Sequence, residues 1–520
     1  MKILLVYPGY PETFWSFRHA LKVIAKKASF PPLGALTVAA MLPPEWEKKL
    51  VDMNVSPLSD KDIKWADYVF ISAMIVQRHS AEDVIRRANR LGVKVVAGGP
   101  LFTTAYQEFK GVSHYVLGEG EVTIPLFLKD LAEGHAEPVY FSDVRPDITH
   151  TPAPMWSLVK MKKYTSMSMQ YSRGCPFDCE FCDIVLLNGH RVRTKTREQI
   201  ISELENLYNH GWRGGLFVVD DNFIGNKTKL KDEILPAIIE WNKKRKYVFD
   251  FSTEASINLA DDDELMKLMV EAGFSRVFIG IETPNEDSLV ECNKHQNVNR
   301  DLSECVKAIQ QAGLEVQGGF IVGFDSDPVS IFKRQIDFIQ KSGIVTAMVG
   351  LLNAPRGTKL YHRLKRENRL IEDEMSGDNT DCSINFIPKM RYETLIAGYR
   401  QIMETIYSPR ELYDRMKTFL KNYQPPKRGV SLMATLKRQH IRGLFGSIWF
   451  LGIKEKGRRY YWKLFFETLF KSPRKFPITI TLSVYGYHFR KAFERYIGAP
   501  IGGMVDHSGL RNRKQQDVAQ

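Results

Sequence analysis

Three cysteines, Cys175, Cys179 and Cys182, sit in the run Ser172-Arg173-Gly174-Cys175-Pro176-Phe177-Asp178-Cys179-Glu180-Phe181-Cys182. The spacing Cys-x3-Cys-x2-Cys places three thiolates within eight residues, enough to ligate three irons of one [4Fe–4S] cube. Electron-transfer clusters of this type use four cysteines, and no fourth cysteine lies nearby. One iron is then left open for chemistry. Zinc is the competing reading, but a structural zinc takes four N or S ligands. The nearest candidate, His190, lies eight residues past Cys182 and outside any finger-like pattern. Six cysteines in 520 residues are not a secreted disulfide framework. Cys292, Cys305 and Cys382 are scattered and read as ordinary buried thiols.

With the aromatic Phe181 just before the last cysteine, this run resembles the cluster motif of the radical S-adenosylmethionine (radical SAM) enzymes. The resemblance implies that Cys175, Cys179 and Cys182 hold a [4Fe–4S] cluster and that Phe181 lies beside the cofactors. The open iron would chelate the amino and carboxylate groups of S-adenosylmethionine, and one electron would cleave its sulfonium.

Such a loop needs a scaffold. Residues 166–385 alternate strand and helix signals. Strands are predicted at 167–171, 215–220, 250–253, 276–281, 316–324 and 346–352, with helices at 197–210, 230–243, 261–272, 299–312 and 330–342. Six strand–helix units resemble the partial (β/α)6 barrel of the radical SAM fold, whose chemistry sits on loops after the strands. The resemblance places Asp220 and Asp221, at the end of the second strand, near the methionine ammonium. It places Glu254, at the end of the third, near a ribose hydroxyl, and Glu282, at the end of the fourth, in the same mouth. Read one at a time, each carboxylate is more often a helix cap or a surface ion pair; their fall at successive strand ends is what favours the site.

Residues 1–140 alternate in the same way. Strands are predicted at 2–7, 49–52, 68–72, 93–97 and 114–117, and helices at 34–42 and 81–91. This reads as an α/β, doubly wound (Rossmann-like) parallel sheet, which binds ligands at the carboxyl ends of its strands. Small residues gather there: Ser72, then Ala97-Gly98-Gly99-Pro100, then Leu117-Gly118-Glu119-Gly120-Glu121. The last two runs, ahead of the cysteine motif, resemble the cobalamin-binding domain of the B12-dependent radical SAM family. The resemblance implies that Ser72, Gly98, Gly99, Pro100, Gly118, Glu119 and Gly120 approach the corrin or its nucleotide tail. The other reading is a flavodoxin-like domain with glycines as turn formers. The Asp-x-His-x-x-Gly run that supplies a lower cobalt ligand in many B12 domains is missing from residues 1–150, so cobalamin is expected without a protein histidine on cobalt.

Residues 141–165, punctuated by Pro146, Pro152 and Pro154, read as a linker. Residues 386–426 carry two predicted helices, 391–407 and 409–422, as a helical extension like that of class B radical SAM methyltransferases such as hopanoid C-2 methylases. Residues 427–520 form a basic tail rich in aromatics: 19 Lys and Arg against 5 Asp and Glu, a net +14 in a chain of net +13. All the excess basicity is therefore in the tail. Cations beside Trp449, Phe450, Tyr460, Tyr461, Trp462, Phe465, Phe466 and Phe470 suit an anionic bilayer better than nucleic acid; a helical cap with a solvated basic face is the plain alternative.

Hydrophobic content of 44% fits a globular core, and no stretch of about 18 uncharged apolar residues suggests a spanning helix. The opening run Met1–Tyr7, cut by Pro8 and Gly9, reads as a buried strand rather than a signal peptide. Together with oxygen-sensitive cluster chemistry this places the protein in the cytoplasm, with the tail offering peripheral contact at the inner membrane face. The resemblance implies C-methylation of an unactivated carbon through a 5′-deoxyadenosyl radical and methylcobalamin. It also implies a small-molecule, lipid-like substrate such as a hopanoid and a reductant such as flavodoxin or ferredoxin. Two other readings stay open: a cobalamin-dependent radical cyclase or oxidoreductase without methyl transfer, and a non-catalytic cobalamin or redox sensor.

Overall fold

A computed structural model describes residues 1–371, 375–378, 381–426 and 438–497. The tail positions 427–437 and 498–520 lie outside the described residues. The chain divides into two compact units. One comprises Met1–Glu12, Lys26–Pro176 and Leu187–Glu254; the other comprises Thr13–Ala25, Phe177–Leu186 and the chain from Ala255 onward.

The first unit opens with six parallel strands: β1 (Lys2–Tyr7), β2 (Glu47–Asp52), β3 (Tyr68–Ser72), β4 (Lys94–Gly98), β5 (His114–Val116) and β6 (Val139–Tyr140), in the order β2-β1-β3-β4-β5-β6. Parallel strands covered on both faces read as continuous apolar runs, and Ile3–Val6 shows why. Leu4 and Val6 enter a core with Val69, Ile71, Val95 and Ala97. Ile3 and Leu5 enter another with Phe70, Val96 and Val116. Helices such as Leu33–Met41, Arg78–Arg90 and Gly120–Glu133 cover these faces. The predicted strands and helices here are all present, displaced by up to three residues at their ends.

Residues 141–165 hold no helix longer than a single 3-10 turn, but they are not a loose tether. Ile148, Trp156 and Tyr164 are buried, and the Tyr164 hydroxyl donates to Asp52 at 2.8 Å. Beyond them the first unit carries β7 (Ser166–Met169), a two-residue antiparallel ribbon of β8 (Ser172–Arg173) and β9 (Arg193–Thr194), β10 (Gly215–Val218) and β11 (Asp250–Ala255). β10 pairs in parallel with both β7 and β11. The ribbon brackets the ends of the loop 174–192 that bears the three cysteines.

The second unit contributes β12 (Phe274–Glu282), β13 (Glu315–Val322) and β14 (Ala347–Leu351), with β13 parallel to both neighbours. Helices Asp263–Ala272, Leu302–Ala312 and Ile331–Ser342 alternate with them. Helices Tyr392–Ile406, Pro409–Asn422, Arg438–Ser447, Arg458–Lys471 and Phe476–Ile497 follow, with a π-helical segment at Ile448–Lys454. The segment Thr13–Ala25 belongs with them: Phe14 stacks on Phe489 at 4.0 Å, and His488 Nε2 donates to the Phe14 carbonyl at 2.9 Å.

Candidate functional site

Each unit builds its own surroundings for part of the cysteine loop. In the first unit the turn into Cys175 requires glycine. Gly174 has φ 96°, and a Cβ there would lie 2.7 Å from the Arg191 carbonyl oxygen. Asp221, just past β10, ties both arms of the loop. It accepts from the Gly174 amide at 3.1 Å and from Asn188 Nδ2 at 2.9 Å. Asp220 is fully buried and accepts from the amides of Tyr171 and Ser172 at 2.8 and 2.7 Å and from the Ser172 hydroxyl at 2.6 Å. The expected ammonium partner therefore supports the turn leading to the cysteines, with both its oxygens engaged by protein donors. Burial raises the Asp220 carboxyl to about 7 against these hydrogen bonds. Burial, then the charges of Asp221 and Asp220, raise Glu254, at the end of β11, to about 7. Three carboxyl groups thus crowd the ends of β10 and β11, an environment that favours a cationic or proton-donating ligand.

Arg173 and Arg193 face each other across the ribbon and meet the Gly118–Glu121 motif. Arg173 Nη1 and Nη2 donate to Glu119 Oε2 and Glu121 Oε1, both at 2.7 Å. Arg193 grips both oxygens of Glu119 at 2.8 and 2.9 Å. Glu119, expected to approach the corrin or its nucleotide tail, gives its carboxylate to two guanidinium groups, because an acid this buried (9% exposed) needs paired cations. Glu121 also takes the Thr151 hydroxyl at 2.7 Å.

The remaining expected corrin contacts stand at the carboxyl ends of β3, β4 and β5. Ser72 and Gly98 end neighbouring strands in register, Pro100 opens the helix Pro100–Ala105 and Gly120 opens Gly120–Glu133. The protein's own backbone accounts for two glycines. A Cβ on Gly98 would lie 2.6 Å from the Val116 carbonyl oxygen, and one on Gly99 (φ 87°) 2.9 Å from Ser72 Oγ. Gly118 has φ 74°. Beside them Met74 is 47% exposed and accepts from the Tyr10 hydroxyl at 3.5 Å. An apolar side chain open on the ligand side of such a sheet suits a large, flat macrocycle.

In the second unit the sign of the charge reverses. Glu180, between Cys179 and Cys182, is held by Arg363 through Nε at 2.7 Å and Nη2 at 3.0 Å. Arg363 Nη1 also reaches Asp325 at 2.9 Å, and Arg369 binds both oxygens of Asp325 at 2.6 and 2.7 Å. Burial works to raise Asp325, but hydrogen bonds from Arg369 and Arg363 outweigh it and hold the carboxyl at about 2. The Glu180 amide donates to the Cys292 carbonyl, and its own carbonyl accepts from Leu360, both at 2.9 Å. Phe181 lies 6.3 Å from Phe324 between ring centres. Gln296 Nε2 points at Cys179 Sγ at 3.8 Å.

Glu282 ends β12 in a left-handed conformation (φ 64°), unusual for a residue with a side chain and a mark of functional strand ends. Its carboxylate accepts from Lys294 Nζ at 2.8 Å. Burial works against the Lys294 charge, yet Glu282, Cys179 and Cys182 drive its affinity for the proton well up. Burial pushes the Cys182 thiol to about 12 and raises Cys179 too. Thiolates here need a strong positive partner, which the irons of a cluster supply. Sequence reasoning missed Arg193, Lys294, Asp325, Arg363 and Arg369. Their partners are distant in sequence, up to 183 residues for Arg363 and Glu180, and no local pattern marks them.

Residues 23–128 match the B12 binding domain family, residues 169–346 the radical SAM superfamily, and residues 358–499 a domain of unknown function, DUF4070. Over 520 residues the chain is 40% identical to an uncharacterized methyltransferase of Synechocystis sp., covering 99% of this chain and 96% of that one. It is 35% identical over 480 residues to the hopanoid C-2 methylase of Rhodopseudomonas palustris, covering 90% of each. Two solved structures share the fold at low identity. The cobalamin-dependent radical enzyme OxsB aligns with a TM-score of 0.61 at 14% identity, over 98% of this chain and 83% of that one. The methyltransferase TsrM from Kitasatospora setae aligns at 0.57 and 15%, over 89% and 99%. The two matched domains define the cofactors as a [4Fe–4S] cluster, S-adenosylmethionine and cobalamin. The doubly wound sheet, the cysteine loop and the likeness over nearly the whole chain lead to one conclusion: this chain belongs to the B12-dependent radical SAM methyltransferase family.

Proposed function

We propose that this enzyme methylates an unactivated carbon of a hopanoid or similar polycyclic lipid. The observation that carries the reading is the 35% identity to a hopanoid C-2 methylase across 90% of both chains. When bound, the cluster with S-adenosylmethionine supplies a hydrogen-abstracting radical, and cobalamin supplies the methyl group. Cys175, Cys179 and Cys182 hold the cluster, with Phe181 beside it. Asp221 and Glu254 receive the ammonium and hydroxyl groups of S-adenosylmethionine, Asp220 supports the turn into the cysteines, and Glu282 faces the same mouth with Lys294 as its partner. Ser72, Gly98, Gly99, Pro100, Gly118 and Gly120 border the corrin, while Glu119 holds Arg173 and Arg193. The domains are 1–140 for cobalamin, 141–165 as connector, 166–385 for radical chemistry, 386–426 as helical extension and 427–520 as the tail. A flavodoxin or ferredoxin delivers the electron, and the protein works in the cytoplasm at the inner membrane face.

When bound, cobalamin would take no protein histidine on cobalt. His79 is 97% exposed beside Glu82 on the helix Arg78–Arg90, and His114 begins β5, at the end of the strand away from Gly118. Electron paramagnetic resonance of the cob(II)alamin form is expected to lack protein nitrogen splitting; splitting that vanishes on substituting a histidine would refute this.

The test of function is anaerobic reconstitution, reduction with methyl-labelled S-adenosylmethionine and hopanoid, and chromatography. The expected products are 5′-deoxyadenosine, S-adenosylhomocysteine and labelled hopanoid, all lost in Cys179→Ala. Deoxyadenosine without label in any lipid would point to a cyclase or oxidoreductase. Bound cobalamin with no cleavage of S-adenosylmethionine in the presence of hopanoid would point to a sensor.

A further inference from the structure

Large apolar side chains stand in water along the C-terminal helices. Ile441, Phe445, Trp449 and Ile453 are 49, 66, 51 and 49% exposed. They recur every fourth residue along Arg438–Ser447 and the π-helical Ile448–Lys454. An α-helix turns about 100° per residue, so a four-residue repeat drifts about 40° per step. The wider π turn drifts the other way, which keeps the row on one side across the junction. The next helix adds Phe466 and Phe470, 48 and 77% exposed. A ladder of rings connects the two helices. Trp462 Nε1 donates to the Gly452 carbonyl at 2.9 Å, Trp462 stacks on Phe466, and Phe466 stacks on Phe470, with interplanar angles of 20° and 10°. These helices also bury Leu451, Tyr461, Leu464 and Phe465, so the exposed set is additional to a complete core face. Single exposed apolar residues are ordinary; a contiguous set of this size marks an interaction surface.

The charge around the row identifies the partner. From Arg438 to Lys475 there are 10 Lys and Arg and 2 Asp and Glu. One of the two acids, Glu455, is already paired with Arg490 at 2.6 Å and Lys491 at 3.4 Å. Lys454 Nζ sits 5.0 Å from the Trp449 ring centre, and Arg442, Lys463 and Lys471 are exposed beside the row. We propose that this face docks on an anionic lipid bilayer, with Phe445, Trp449, Phe466 and Phe470 entering the headgroup boundary and the flanking cations meeting lipid phosphates. Tryptophan, phenylalanine and aliphatic side chains rimmed by cations are the composition of an interfacial helix. Ile441 and Ile453 have no stacking face for nucleic-acid bases, and a second copy would bring like charge against like charge. The proposal deepens the reading of a lipid substrate, because a bilayer is the phase in which such a substrate dissolves.

The full-length protein is sedimented with vesicles of phosphatidylcholine alone and of phosphatidylcholine with phosphatidylglycerol. Binding is expected on the anionic vesicles, at least about 10-fold weaker on the neutral ones, and lost at high salt. Trp449→Ser with Phe470→Ser is expected to weaken binding about 10-fold or more, and Lys454→Gln with Lys471→Gln about fivefold per charge. Unchanged deoxyadenosine formation by each variant shows that the fold is kept. The proposal is overturned if the wild type stays in solution with both vesicles or if the double serine variant binds as well as the wild type. It is also overturned if that variant loses instead a single-stranded oligonucleotide or a dimer. Vesicle binding without hopanoid methylation would refute the substrate reading alone; methylation in detergent without vesicle binding would refute the docking surface alone.

Discussion

The two ends of the cysteine loop are held by opposite arrangements of charge. Ahead of Cys175 the loop presents an arginine, Arg173, to two glutamates. Between Cys179 and Cys182 it presents a glutamate, Glu180, to an arginine that shares its second acid, Asp325, with another. The first converges on one carboxylate: without Glu119, Arg173 keeps Glu121, but among the described residues Arg193 keeps only the carbonyls of Pro146 and Asn188. The second is redundant: without Asp325, Arg363 keeps Glu180, Glu291 and Glu367, and Arg369 keeps Glu367 and the Ile387 carbonyl. Similar numbers of ion pairs therefore carry unequal weight, decided by how many partners each buried charge has left.

The largest effect should come from the convergent side. Glu119→Ala leaves the partly buried Arg193 with carbonyl partners alone among the described residues and is expected to cost about 3 kcal/mol, read as a lower urea midpoint together with reduced iron uptake. A loss no larger than that of Asp325→Asn would break the comparison. Next comes pH, where the two regions have opposite sign. Asp325, held at about 2, stabilises the fold above its unfolded value, and that contribution is lost only as pH falls through about 2. Glu254 and Asp220, raised to about 7, contribute stability fully present below their unfolded values near 4 and lost as pH rises through about 7. Of these three groups only the latter pair changes between pH 5 and 8, and with Asp327, raised by burial to about 6, it should lower the stability of the iron-free protein on going to pH 8. Glu254→Gln should recover about 2 kcal/mol of that at pH 8 and almost nothing at pH 5. A variant with the same pH slope as the wild type would show that Glu254 is not the group responsible. The smallest effect belongs to the redundant side: Asp325→Asn should cost about 1 kcal/mol, because Arg363 keeps Glu180 and Glu291 and Arg369 keeps Glu367. Cobalamin binding should be unchanged in Glu119→Ala, because that carboxylate serves the loop; a large loss of cobalamin affinity would return Glu119 to the corrin.

These contrasts also mark what the sequence could disclose. β1 and β3 match their predicted ranges residue for residue, since an unbroken apolar run has no other stable place than between two helical layers. The carboxylates Asp220, Asp221, Glu254 and Glu282 were legible as strand-end residues because strand periodicity fixes where a strand stops. Their partners were not. Lys294 meets Glu282 across 12 residues, past the helix Glu286–Glu291, and no local preference encodes that return. The ribbon β8–β9 has two residues per strand, too few to show a period. The predicted helix 230–243 begins as a π turn, Leu230–Ile234, and helical periodicity does not separate the two. The tail's composition pointed to cations and rings, but only packing distinguishes the buried Tyr461 and Phe465 from the exposed Trp449, Phe466 and Phe470.

The ribbon that closes the loop has a consequence for the enzyme's survival in air. Its pairing of Ser172 with Thr194 and Arg173 with Arg193, and the left-handed turn at Gly174, are held by the protein's own hydrogen bonds. In small zinc domains the metal supplies the folding free energy, and its removal unfolds the chain. Here the ends of the loop are set by protein hydrogen bonds, so the chain is expected to stay folded when oxygen destroys the cluster and to regain it from iron and sulfide; a far-ultraviolet circular dichroism signal that collapses as the iron leaves would overturn this.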